Sequence, residues 1–130
     1  VDITRENILR DGDVMTGISV PGPSLDCTGV YLKAKERESM DFALVSVAIN
    51  IRIIDGVIRE SGVAIGGVSP VPLRLKELES RLHNLPIKGF SSQDVVTGLF
   101  SSAQPMSHNE YKLPLVESYL RRALTQAIKQ

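Results

Sequence analysis

The stretch DFALVSVAINIRIIDGVIRESGVAI, residues 41–65, decides the fold. Ala43, Val45, Val47, Ile49, Ile51 and Ile53 alternate along it as one apolar face, the period of a half-buried strand. Phe42, Leu44, Ser46, Ala48, Asn50 and Arg52 make the other face, apolar at first and polar later. β-Branched residues dominate, which suits a pleated surface and disfavours a helix. Asp55-Gly56 then stands between Ile54 and Val57, the pair preferred in a two-residue type I′ hairpin turn because both central positions need positive φ. The return strand is expected over 57–65, ended by Gly66-Gly67.

Upstream, Asp11-Gly12-Asp13 reads as a turn, and a short strand is expected over Val14–Val20, closed by Pro21-Gly22-Pro23. A further strand is expected from Gly29 to Ala34, and Ser39 is placed to start the next element. Downstream, Ser69-Pro70-Val71-Pro72 is a stiff connection, with Pro72 expected in the first turn of a helix. That helix carries Leu75, Leu78 and Leu82 at helical spacing and stops at Asn84 and Pro86. Ser91 or Ser92 is expected to cap another short element that buries Val95, Val96, Leu99 and Phe100, with Gly98 weakening it. Ser107-His108-Asn109-Glu110 has capping-box spacing. Val116, Tyr119, Leu120, Ala123, Leu124, Ala127 and Ile128 line one face of a C-terminal helix. Pro114 falls inside that pattern, so the helix is expected to kink or start there.

Strands first and helices after predict an α+β domain: an antiparallel sheet of three to four strands followed by about three helices packed on it. A chain of 130 residues fits one domain over 1–130, with 1–28 a lead-in carrying one strand and 29–130 the domain proper. Fifteen basic and fifteen acidic side chains cancel, so no net field draws in nucleic acid or anionic lipid. The longest apolar stretch is interrupted by Ser46, Asn50 and Arg52 and is too short to span a bilayer. The single cysteine, Cys27, forms no internal disulfide and suits a reducing compartment. No signal-peptide pattern opens the sequence, and a cytoplasmic location is expected. Val1 stands where an initiator methionine would, as in a processed chain or a piece of a longer one.

No complete active site is legible. His83 and His108 lack ligand partners at helical spacing, so no metal site is expected. Cys27 has no cation beside it in the sequence to activate a thiolate. Glu77 and Glu79, two apart on a helix, read as solvated surface, and Arg121-Arg122 near a helix C-terminus suits the macrodipole. Gly66-Gly67-Val68-Ser69-Pro70 runs from strand to helix but lacks both the G-x-G-x-x-G pattern and the P-loop lysine. It reads either as a tight structural turn or as a ligand-facing loop where bare backbone approaches another group. A small enzyme built on that loop would need a base, and only Asp41 or Glu60 offers itself.

Two blocks resemble a known family. One is Tyr31-Leu32-Lys33 through Arg37 with Ser39-Met40-Asp41-Phe42-Ala43-Leu44-Val45. The other is Val63 to Pro72, followed by Glu79 and Leu82. Together they resemble the C-terminal domain of the FAD-binding medium subunit of molybdenum hydroxylases, the group of carbon monoxide dehydrogenase and xanthine dehydrogenase. Arg5 to Pro21 resembles the segment leading into that domain, and Leu120-Arg121-Arg122-Ala123-Leu124 its last helix.

The resemblance implies a flavin-covering, subunit-docking domain of an oxidoreductase, non-catalytic in isolation. FAD would be held only together with an N-terminal FAD-binding region whose glycine-rich loops lie outside these residues. Gly66, Gly67, Val68 and Ser69 would lie near the isoalloxazine, with Lys33, Arg37 and Asp41 at the domain junction. Molybdopterin in a large subunit and 2Fe-2S clusters in a small subunit would complete the complex. A stand-alone protein-interaction module without a redox role is the other reading.

Overall fold

The computed structural model describes residues 7–19, 26–38 and 40–129. Four strands form one antiparallel sheet in the order β1-β2-β3-β4: β1 Cys27–Ala34, β2 Val45–Ile54, β3 Val57–Gly66 and β4 Leu73–Arg74. Three helices follow: α1 Lys76–Leu82, α2 Ser92–Val96 and α3 Lys112–Lys129. The α+β architecture expected from the element order is the one observed.

The hairpin closes at Asp55 (φ 52°) and Gly56 (φ 72°), the two positive dihedrals that a type I′ turn demands. Its ladder shifts register between Arg52 and Ile53. Val45, Val47, Ile49 and Ile51 of β2 are buried, as are Val63 and Ile65 of β3, on the face that meets the helices. From α3 come Val116, Leu120, Ala123, Leu124 and Ala127, and from α1 Leu78 and Leu82. Val96 of α2 is buried in the same cluster. Ser91 caps α2, its side chain accepting from the Asp94 N–H, and Gly98 (φ 73°) lies beyond its end. Leu99 and Phe100 therefore pack from the following loop rather than from the helix.

Several expectations are corrected. Residues 14–19 form no strand and are exposed, Val14 at 81% and Ile18 at 77%. An isolated extended segment gains little unless a neighbour pairs with it. Val20 and Ser39 lie outside the described residues. Pro72 is not in a helix: Leu73 and Arg74 first pair with Ile65 and Ala64, and the Leu75 N–H donates to the Val63 carbonyl (2.9 Å) before α1 begins. The Ser107–Glu110 box does not cap α3, which starts at Lys112 after His108 turns through φ 69°. Pro114 sits in the first turn of α3, where a missing N–H leaves no intrahelical bond unmade.

Candidate functional site

α1 and α3 pack on one face of the sheet with α2 against them, so among the described residues the other face carries no helical cover. The register lays that outer face out row by row. Lys33 pairs with Ser46 and Ser46 with Gly66. Tyr31 pairs with Ala48, Ala48 with Ala64 and Ala64 with Arg74. Gly29 pairs with Asn50 and Asn50 with Gly62. Cys27 pairs with Arg52 and Arg52 with Glu60. The floor is thus made of small residues, with Tyr31 62% exposed on the β1 side. Bare main chain is open at Gly29 and Gly62, where an added Cβ would meet nothing within 4 Å.

The glycine pair is explained differently. A Cβ on Gly66 would lie 2.6 Å from the Ser46 Oγ. Gly67 has φ 76°, and a Cβ there would lie 2.8 Å from the Leu44 carbonyl oxygen and 2.9 Å from that of Ala43. Gly67 is therefore required by the protein's own packing against the 43–46 segment, whose Leu44 N–H is tied to the Ala34 carbonyl (2.8 Å), while Gly66 is favoured there only against the rotatable Ser46 hydroxyl. The sequence signal for open backbone belongs instead to Gly29 and Gly62, single glycines inside strands. Ser46 was legible only as a polar break in an apolar strand.

The structure brings some of the sequence-predicted residues together and separates others. Lys33 and Gly66 share the row through Ser46 on the outer face. Arg37 and Asp41 lie on the β1–β2 loop at the same end, where the Arg37 Nε donates to Asp41 Oδ2 at 3.1 Å and Asp41 Oδ1 accepts from the Phe42 N–H. Beside them Phe42 and Met40 project into solvent, Phe42 95% exposed. Val68 and Ser69 turn to the helix side. There, with Gly67, they line a cleft of ≈ 500 Å³ between the β3–β4 loop and the start of α3, and the Lys112 Nζ donates to the Gly67 carbonyl at 2.6 Å.

Candidate bases are otherwise engaged: Asp41 by Arg37, and Glu60 by Arg52, whose Nη1 donates to it at 2.9 Å. Arg52 also stands opposite Cys27 in the register, but its Nη1 and Nη2 atoms face Glu60 and Asp26. His83 Nδ1 lies 3.0 Å from the Arg59 carbonyl, and His108 is exposed. Among the described residues no group of three His, Cys, Asp or Glu side chains could hold a metal ion.

Glu79 is not the solvated carboxylate expected. Its Oε1 accepts from the Val63 N–H (2.9 Å) and from the Arg74 Nε (2.8 Å), and its side chain is only 13% exposed. The Arg74 hydrogen bond holds the Glu79 carboxyl below the usual carboxylate range, with the Val63 N–H adding to it against the opposing effect of burial. Where β4 is too short to pair with all of β3, this carboxylate completes the edge.

Comparison with known proteins fits this geometry. Residues 30–127 match the family model described as the CO dehydrogenase flavoprotein C-terminal domain. The chain is 35% identical over 125 residues to the aldehyde oxidoreductase FAD-binding subunit PaoB of Escherichia coli strain K12, covering 96% of this chain and 36% of that one. It is 30% identical over 96 residues to the glyceraldehyde dehydrogenase medium chain of Sulfolobus acidocaldarius, covering 74% of this chain and 34% of that one. The chain thus spans about a third of the length of these two relatives. In fold it is similar to a reconstituted CO dehydrogenase from Oligotropha carboxidovorans, with a TM-score of 0.71 at 20% identity, covering 85% of this chain and 40% of that one.

Proposed function

The chain belongs to the CO dehydrogenase flavoprotein C-terminal domain family, and from that premise we propose that its uncovered sheet face closes over a flavin held by the remainder of an FAD-binding subunit. The observation that carries this reading is the asymmetry of the sheet. Among the described residues every helix lies on one side, and the other side is a floor of Gly29, Ser46, Ala48, Gly62 and Ala64 on which no side chain longer than Asn50 rises between Tyr31 and Arg74. A flat surface of that kind accepts a flat group or a closely packed partner without displacing side chains.

When bound, a flavin supplies the electron-transfer chemistry, and the protein contributes orientation, electrostatics and exclusion of water. The residues here fit the second role. Lys33 places a cation at the end of the floor. Arg37 and Asp41 hold each other at the rim, and Asp41 fixes the loop through the Phe42 N–H. Phe42 and Met40 offer apolar area beside them for a partner to bury. Gly66 and Gly67 act indirectly, locking the 43–46 segment that carries Ser46.

The parent protein would be the FAD subunit of a molybdenum hydroxylase. A molybdopterin-binding large subunit and an iron–sulfur small subunit would be its partners, and substrate selection would rest with the large subunit. Family membership disfavours the alternative of a stand-alone interaction module. No helix among the described residues is long and apolar enough to cross a membrane.

The test is a chimeric PaoB in which this chain replaces the matching 125 residues. The chimera should retain FAD through gel filtration, and Ala48→Glu or Ala64→Glu within it should release the flavin. Tight stoichiometric FAD binding by the 130-residue chain alone would count against the reading.

A further inference from the structure

We propose that the cleft behind the Gly67 turn is a second binding site, distinct from the outer sheet face, for a small apolar carboxylate. The cleft lies on the helix side of the sheet, with Ile65 and Val116 of the core at its base and Val68, Leu73, Phe100 and Met106 around it. Its volume of ≈ 500 Å³ lies within the usual range for small-molecule pockets, which are mainly apolar with a few converging polar groups.

The charge at the cleft is one-sided. Lys112 is the single charged residue among those that line it. Its ammonium donates to the neutral Gly67 carbonyl, and among the described ion pairs none neutralises it. Asn109 and Gln104 add amide groups to its lining. A cavity with apolar walls and one cation without a carboxylate complements a ligand with the opposite layout: an aromatic or aliphatic body ending in one negative charge. A charge-assisted hydrogen bond from Lys112 would be stronger than the one it now makes to an amide carbonyl. Binding would therefore draw the ammonium from Gly67 and reach the turn that packs on the Ala43 and Leu44 carbonyls. The inference does not depend on the flavin reading, since it concerns the opposite side of the sheet.

The test uses the isotope-labelled 130-residue chain titrated with benzoate and, separately, with benzyl alcohol, followed by amide NMR shifts. Benzoate should give saturable shifts at Gly67, Phe100 and Leu113 with a Kd of about 1 mM, the scale expected for so few ligand atoms. Benzyl alcohol should bind about 10-fold more weakly. Lys112→Met should remove that preference while leaving the remaining spectrum in place. If the variant does not fold, the comparison of the two ligands on the unsubstituted chain decides. Equal binding of acid and alcohol, shifts confined to other surfaces, or no saturation by about 20 mM benzoate would each overturn the proposal.

Discussion

At the scale of single residues, the two glycines that end β3 have different reasons for being glycine, and substitution should separate them. Gly67→Ala meets two backbone carbonyls that cannot move away and sits at positive φ. It should cost about 2–4 kcal/mol from strain and overpacking together. Gly66→Ala meets only the Ser46 hydroxyl, which can rotate, so its cost should be about 1 kcal/mol and should shrink when Ser46→Ala is added. Urea unfolding of the two single variants and the double variant checks the order.

Glu79 makes a pH prediction. Its folded-state pKa is depressed, so it stabilises the fold above the unfolded carboxylate value of about 4.3. That contribution is lost as pH falls through the folded value. Glu79→Gln should flatten the acid limb of the stability profile, and Glu79→Ala should cost about 2 kcal/mol at neutral pH by leaving the Val63 N–H unpaired. The sequence placed Glu79 on a helix correctly but not its partners, because Val63 lies sixteen residues away and Arg74 belongs to a two-residue strand without a periodic signature.

At the scale of elements, the hairpin was legible because strand alternation and turn chemistry agreed over residues 41–65. Gly56→Ala, at φ 72° with open space around it apart from Ile87 at 4.0 Å, should cost about 1 kcal/mol from backbone strain alone. The start of α3 was legible through Pro114, and Pro114→Ala should change stability by less than about 0.5 kcal/mol because no intrahelical bond is gained there. Thermal unfolding followed by circular dichroism reads both. The missed elements share a cause. Leu73 and Arg74 become a strand only because Ile65 and Ala64 offer a free edge. Val14, Met15 and Ile18 stay out of the sheet although a strand was expected between the flanking turns. Pairing partners, which local pattern cannot report, decide each case.

At the scale of the whole molecule, the element order already pointed to helices on one face of the sheet, but local pattern did not report which residues the strand register would bring together on the opposite face. The openness of that face follows from all helices coming after the strands and packing against a single side. Lys33 and Gly66, thirty-three positions apart, meet in one row only through the register of β1 with β2 and β2 with β3. The resemblance carried the flavin reading; the register shows that Lys33 and Gly66 share a surface, whereas Val68 and Ser69, beyond the end of β3, line the cleft on the helix side. The central claim is that this open face closes on the rest of an FAD subunit. It is tested most directly by the flavin absorbance retained after gel filtration of the PaoB chimera and its Ala64→Glu variant. The account predicts about one FAD per chain in the first and a loss of at least about 10-fold in the second, equivalent to about 1.4 kcal/mol of lost affinity, with the isolated domain's melting temperature unchanged. Equal flavin content in the two would contradict it.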